Sequence, residues 1–418
     1  MSYPIFTEEM KKDYTILVPT MLPTHFKLII NVMKNYGYKM ELLENEGKNV
    51  IDSGLKYVHN DTCYPAQVVI GQLIDAIESG KYDIHKIALL ISQTGGGCRA
   101  SNYIHLLRKA LEKAGYDFIP VISLNFSGLE SEHTGFKITL PMILKMFYCI
   151  EIADLLMLLR NQCLPYEKNK GDTFDLENEW IERANEILSK KDVKHKDIKK
   201  LYISIIKDFN RIKTDRTKKA VKVGIVGEIF VKFSPLGNND LEKFLYSEGA
   251  EVSMAGLLDF CLYCIYNNVL DYKLYKKNKK TAFVFNLVYK YILHLQKEHI
   301  ALIKKYSFFT PPTPFEEVVK LSKGYVGFGT KMGEGWLLTS EMLELIDKGV
   351  NNIICAQPFG CLPNHIVGKG MMKLIKENNL NANLVAIDYD ASASKVNQEN
   401  RIKLMLSTAR SQIEEGVV

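Results

Sequence analysis

The chain has 418 residues, 47% hydrophobic and 24% charged, which excludes a largely disordered protein and is length enough for two or three domain cores. A net charge of +6 spread over that length is too weak to argue for a nucleic-acid partner. The opening MSYPIFTEEMKKDY lacks the apolar stretch of a signal peptide, and no apolar run reaches the roughly 18 residues of a membrane span, so a soluble, cytoplasmic protein without a membrane partner is expected.

The first third alternates strand-like and helix-like segments. Tyr14 to Pro19 is a short apolar run closed by proline, and a helical pattern follows from His25 to Tyr36. Tyr38 to Leu43 is the next strand candidate, then Tyr64 to Ser79 repeats apolar residues at helical spacing. Lys86 to Ser92 (KIALLIS) reads as a fully buried strand, Asn102 to Ala114 as a helix and Phe118 to Leu124 as a strand. From Pro141 to Asp215 the pattern is helical, with a lysine-rich stretch from about 189 that reads as a solvated face or a docking surface for an acidic or nucleotide-bearing group. Strands return at Val221 to Val226, Ala250 to Ser253, Asn352 to Cys355 and Leu384 to Ile387, with long helical patterns at Met254 to Tyr272 and Lys280 to Lys304. This predicts an α/β protein: two parallel-sheet α/β domains (residues 1–140 and 217–418) with a helical middle region (141–216).

Eight cysteines in a reducing compartment are buried thiols, nucleophiles or metal ligands rather than a disulfide framework. Cys63, in HNDTCYPAQ, precedes a helix whose second residue is Pro65, and free backbone N–H groups there would favour a thiolate. Cys98, in QTGGGCRASN, follows a buried strand; the glycines, Gly97 among them, allow close backbone approach, and Arg99 adds positive charge. Cys361, in CAQPFGCLPNH, repeats the order strand, Gly and Pro turn, cysteine, helix in the second domain. All three stand at strand-to-helix turns, the edge at which open α/β sheets bind ligands. Thiolates converging from two domains would suit a soft metal centre in the interdomain cleft. Cys355 ends its strand and is either a core thiol or a fourth ligand, and Cys163 is intermediate. Cys149, Cys261 and Cys264 lie in apolar helical stretches and read as buried thiols. The loop histidines His59 and His365 read as turn or cap residues, and catalytic residues stay unassigned. TGGGCRAS lacks the Lys-Ser/Thr of a phosphate loop, and Gly368-Lys369-Gly370 lacks the spacing, so no ATP site is expected.

The motifs HNDTCYPA, QTGGGCRASNYIHLLRKAL, NQCLPYE, VGIVGEIF, GEGWLLTSEM, CAQPFGCLPNHIVGKGMM and AIDYDASASKVNQENRIKLML together resemble the 2-hydroxyacyl-CoA dehydratase family. Within it they are most similar to the C-terminal module of the large 2-hydroxyglutaryl-CoA dehydratase activator-related proteins, over about Asp13 to Arg410, and the family also includes the double-cubane cluster proteins. The resemblance implies an oxygen-sensitive iron–sulfur cluster, a single [4Fe–4S] cluster first and a double-cubane second. It implies ligation by Cys63, Cys98 and Cys361, with Cys355 the doubtful extra and Gly97 and Arg99 lining the cluster. It also implies an anaerobic setting and a separate ATP-dependent activase as electron donor. Reduction of a small molecule is the leading expectation. Radical dehydration of an acyl-CoA is the alternative, and a non-enzymatic scaffold the third; association into a homodimer is left open.

Overall fold

The computed structural model describes residues 3–93, 97–125 and 135–414. Eight strands form: β1 (Thr15–Val18), β2 (Lys39–Leu42), β3 (Ile87–Gln93), β4 (Val121–Asn125), β5 (Lys222–Gly227), β6 (Glu251–Ser253), β7 (Asn352–Pro358) and β8 (Asn383–Tyr389). Each coincides with an expected strand. β4 begins at Val121 rather than Phe118 because Pro120 precedes it and has no N–H for a ladder; its carbonyl accepts from Leu89 N at 2.9 Å.

The strands make two four-stranded sheets, ordered β2-β1-β3-β4 and β6-β5-β7-β8, and every pairing is parallel. The α/β reading with two parallel sheets therefore holds. The central strands are buried along nearly their whole length, β3 showing one exposed residue in seven, as expected where helices cover both faces. In each sheet the chain steps outward from the first strand and then returns to its other side. The switch points fall between β1 and β3 and between β5 and β7, where a crevice opens at the carboxyl ends.

One helical pair positions the first crevice. The helix Lys48–Tyr57, which periodicity did not single out, crosses the expected helix Tyr64–Glu78. The crossing occurs at two glycines: a Cβ on Gly54 would lie 2.3 Å from the Gln67 carbonyl oxygen, and one on Gly71 2.2 Å from that of Val50. Thirteen of the fifteen residues of Tyr64–Glu78 are buried, so the helix, and Cys63 at its N-terminus, is clamped between layers.

The middle region contributes the helices Leu140–Cys163, Asp172–Leu188 and His195–Phe209. Their shared core around Leu156, Trp180 and Ile205 also takes in Leu302 and Ile303 from the helix Lys279–Tyr306. The helical layer is thus built from both the middle region and the long excursion between β6 and β7. Another core is continuous from Leu17 and Leu89 near the first sheet to Val223 and Ile354 near the second. Among the described residues no helix is long and apolar enough to cross a membrane.

Candidate functional site

The two crevices face each other. Tyr64 N donates to the Phe359 carbonyl at 3.0 Å. Gly97 N stands 2.9 Å from Met332 Sδ. Ser234 Oγ donates to the Thr20 carbonyl at 3.4 Å. These contacts tie the loops after β1 and β3, and the helix start at Cys63, to the segments after β5 and β7 and to the turn before the helix Gly335–Asp347. The TGG residues 94–96 before Gly97 lie outside the described residues.

Cys63, Cys98 and Cys361 come together at this junction. Cys63 caps the helix Tyr64–Glu78, Cys98 caps the short turn Arg99–Asn102 ahead of the helix Tyr103–Ala114, and Cys361 follows the turn after β7. Gly360 makes this close approach feasible: it sits at φ +70°, and a Cβ on it would lie 3.1 Å from Cys63 Cα. Cys63 and Cys361 are 5% and 7% exposed, and Cys98 is half-buried. The Tyr103 hydroxyl lies 3.2 Å from Cys63 Sγ. Arg99 Nη1 donates to the Asp61 carbonyl at 2.5 Å and pins the loop before Cys63, and its charge is a minor influence lowering the proton affinity of Cys63.

Burial is the largest influence on all three thiols. It pushes Cys98 up to about 11 and raises Cys63 and Cys361 as well. The thiolate-favouring helix start expected at Cys63 is present, since the Ala66 N–H and the Tyr103 hydroxyl both lower its proton affinity, but desolvation outweighs them. A bare thiolate is therefore costly here, and a cationic group bound at the sulfurs would offset that cost.

Two carboxyls complete the site, and sequence reasoning missed both. Glu228 directly follows β5, with Oε2 accepting from Val231 N at 2.9 Å. Glu334 precedes the helix Gly335–Asp347, with Oε1 accepting from Ile229 N at 2.8 Å. Burial and then the charge of Glu334 push Glu228 up to about 8; burial raises Glu334 to about 6. Both carboxyls therefore hold a proton more tightly than an exposed glutamate does. Both act electrostatically on Cys98 and Cys361, and Glu228 also acts on Cys63. The available signal was position: an acid one residue past a buried strand, and an acid between two glycines in GEGW, at the same sheet edge as the cysteines.

Of the other cysteines, Cys264 and Cys355 are still within electrostatic reach of Glu334. Cys355 lies inside β7, 1% exposed, in a core with Leu338 and Val367, its Sγ 3.4 Å from Asn364 Oδ1. Cys149 and Cys163 are fully buried in the helical layer. Cys264 departs from the expected buried thiol: it is exposed, because the helix Leu257–Tyr275 buries Leu262 and Tyr263 and turns the next position outward. His59 and His365 are exposed, His59 accepting from Asp61 N at 3.2 Å within its turn. The lysines of the helix His195–Phe209 line its outer face, opposite the buried Ile198, Leu201 and Ile205.

Among the described residues no group of three or more His, Cys, Asp or Glu is placed to hold a single metal ion. A cubane cluster is held differently, by thiolates spread over its separate irons rather than converging on one atom. The donor chemistry fits that second case: three soft sulfurs from three loops, one with a hydroxyl neighbour, in a largely buried junction. A scan of protein-family models finds none that matches this chain, and a search of curated proteins finds no match either.

Proposed function

We propose that this chain is the electron-accepting partner of a separate ATP-dependent activase, as its resemblance to the 2-hydroxyacyl-CoA dehydratase family implies. Cys63, Cys98 and Cys361 hold an iron–sulfur cluster used to reduce a small molecule in a reducing, cytoplasmic setting. The observation that carries this reading is the meeting of three cysteine-bearing turns at the facing switch points of two parallel sheets. When bound, the cluster supplies one-electron chemistry at low potential. The chain's own residues do the rest. Tyr103 aims a hydroxyl at Cys63 Sγ, and the apolar packing around Cys63 and Cys361 excludes water. Glu228 and Glu334 hold a proton at the rim of the same site and can deliver it to a reduced product.

That proton also favours one alternative. A 2-hydroxyacyl-CoA dehydratase must protonate a departing hydroxyl, and a carboxylic acid kept neutral by burial is suited to that task. Turnover of an acyl-CoA by the protein plus activase, with loss of water, would select dehydration over net reduction.

The deciding experiment is anaerobic purification with iron and sulfide quantified and spectra taken before and after dithionite. About four irons per chain with a bleachable visible band are expected. Cys63→Ala, Cys98→Ala and Cys361→Ala each lose most of that iron, whereas Cys355→Ala keeps it. A colourless wild type that also resists reconstitution would overturn the proposal and favour a scaffold; about eight irons would bring in further cysteines.

A further inference from the structure

Beside β6, the edge strand of the second sheet, lies a partly open cavity of about 130 Å³ outside the cysteine-bearing loops. It is framed by the helices Leu140–Cys163, Leu257–Tyr275, Lys279–Tyr306 and Gly335–Asp347. Six carboxylates line it against two lysines and one histidine, so its walls are predominantly anionic.

Four of the six are already matched. Asp154 accepts from His25 Nε2 at 2.7 Å and from the Leu257 and Leu258 N–H groups at 2.8 Å. Glu251 accepts from the Tyr166 hydroxyl at 2.6 Å. Glu341 pairs with Lys232 at 3.0 Å and Glu344 with Lys348 at 2.8 Å. Glu151 and Asp259 remain. Asp259, 5% exposed, has the Gln296 side-chain amide at 3.0 Å. Glu151 is 1% exposed, and neither of its oxygens has a hydrogen-bond partner. His299 Nδ1 stands at ion-pair distance, 3.0 Å, without satisfying the carboxylate, and its own Nε2 is also unpartnered. The imidazole is held in place by stacking on Tyr202, ring centres 4.0 Å apart.

Buried polar groups without partners are costly, and a pair of them facing a cavity implies an occupant. An occupant that donates hydrogen bonds would satisfy these groups, and one that also carries positive charge would favour ionised forms of Glu151 and Asp259, whose proton affinity burial raises. Among the described residues the acids do not converge at metal-holding geometry, which argues against a bare metal ion as the occupant. A primary ammonium group offers three donors and no acceptor. Cavities of about 150 Å³ take a guest of roughly benzene size. The geometry points to a second ligand site, in which this cavity takes a small primary ammonium compound anchored by Glu151 and Asp259 beside His299.

Isothermal titration calorimetry on the full chain tests this, with butylammonium chloride and 1-butanol as probes at matched ionic strength. Butylammonium should saturate a single site at least about tenfold more tightly than 1-butanol. Glu151→Gln should bring it down to the level of the alcohol while the thermal melt stays within a few degrees. Should Glu151→Gln fail to fold, Asp259→Asn and the wild-type comparison of the two probes carry the test. Equal affinity for both probes, no saturable ammonium binding, or undiminished binding in a folded variant would each overturn the site.

Discussion

Gly360 joins the two halves of the molecule at the scale of a single atom. Its φ of +70° belongs to the left-handed region, and its missing Cβ is what lets the turn after β7 rest against the Cys63 backbone. Gly360→Ala adds left-handed strain of about 1–2 kcal/mol and a crowded carbon at 3.1 Å from Cys63 Cα. A thermal melt lowered by a few degrees, together with reduced iron content after reconstitution, is the expected result. Unchanged melt and iron would show that the two turns need not touch. At this scale the cysteines were legible because a thiol in a Gly and Pro turn after a buried strand is conspicuous. Glu228 and Glu334 were not, since nothing in a linear sequence says that acids 106 positions apart act on the same thiols.

Among the elements, Arg160 does the joining. It projects from the helix Leu140–Cys163 and reaches Glu177 on the helix Asp172–Leu188 and Glu242 on the helix Leu241–Ser247, both at 3.1 Å. Its side chain is 13% exposed and that of Glu177 5%, so this is a buried charge network rather than a surface pair. Removing one partner leaves carboxylates uncompensated away from water. Arg160→Ala is therefore expected to cost about 3–5 kcal/mol in denaturant unfolding, and a loss below about 1 kcal/mol would mean the network is effectively solvated. Strands and several long helices were readable from periodicity, which depends only on neighbours along the chain, but the helices Gly335–Asp347 and Lys395–Glu414 were not singled out. The helix Lys48–Tyr57 was not, because its burial is concentrated at Val50, Ser53 and Gly54, where it meets the glycine-lined helix Tyr64–Glu78.

Across the whole molecule, the helix Lys279–Tyr306 ties the second half back to the middle region through Glu298. This carboxylate bonds Lys199, and His195 Nε2 lies 2.8 Å from it. The Lys199 hydrogen bond, ahead of that from His195, holds its proton affinity down to about 2 from an ordinary 4.5. A depressed carboxyl stabilises the fold above its unfolded value, and that stabilisation is lost as pH falls from 4.5 toward 2. Partial exposure of Glu298 and Lys199 limits the effect to on the order of 1–2 kcal/mol. Wild type should thus lose more stability than Glu298→Gln across that acid window in parallel melts. Parallel curves for the two would place the ion pair in solvent.

What the sequence by itself determined is local: the alternation of strand and helix, the parallel sheets that such alternation demands, and cysteines at turns where a sheet binds ligands. Hydrophobic period and turn chemistry act between residues close in the chain, so both survive in one dimension. The tertiary structure alone decided that the two crevices face each other, that Cys355 packs in a core away from the other three thiols, and that Glu228 and Glu334 flank those thiols. It also decided that Glu151 and His299 stand 3.0 Å apart beside a cavity, with His299 Nε2 left without a hydrogen bond. Each of these depends on desolvation and on contacts between distant segments, quantities that exist only once the chain has folded around them.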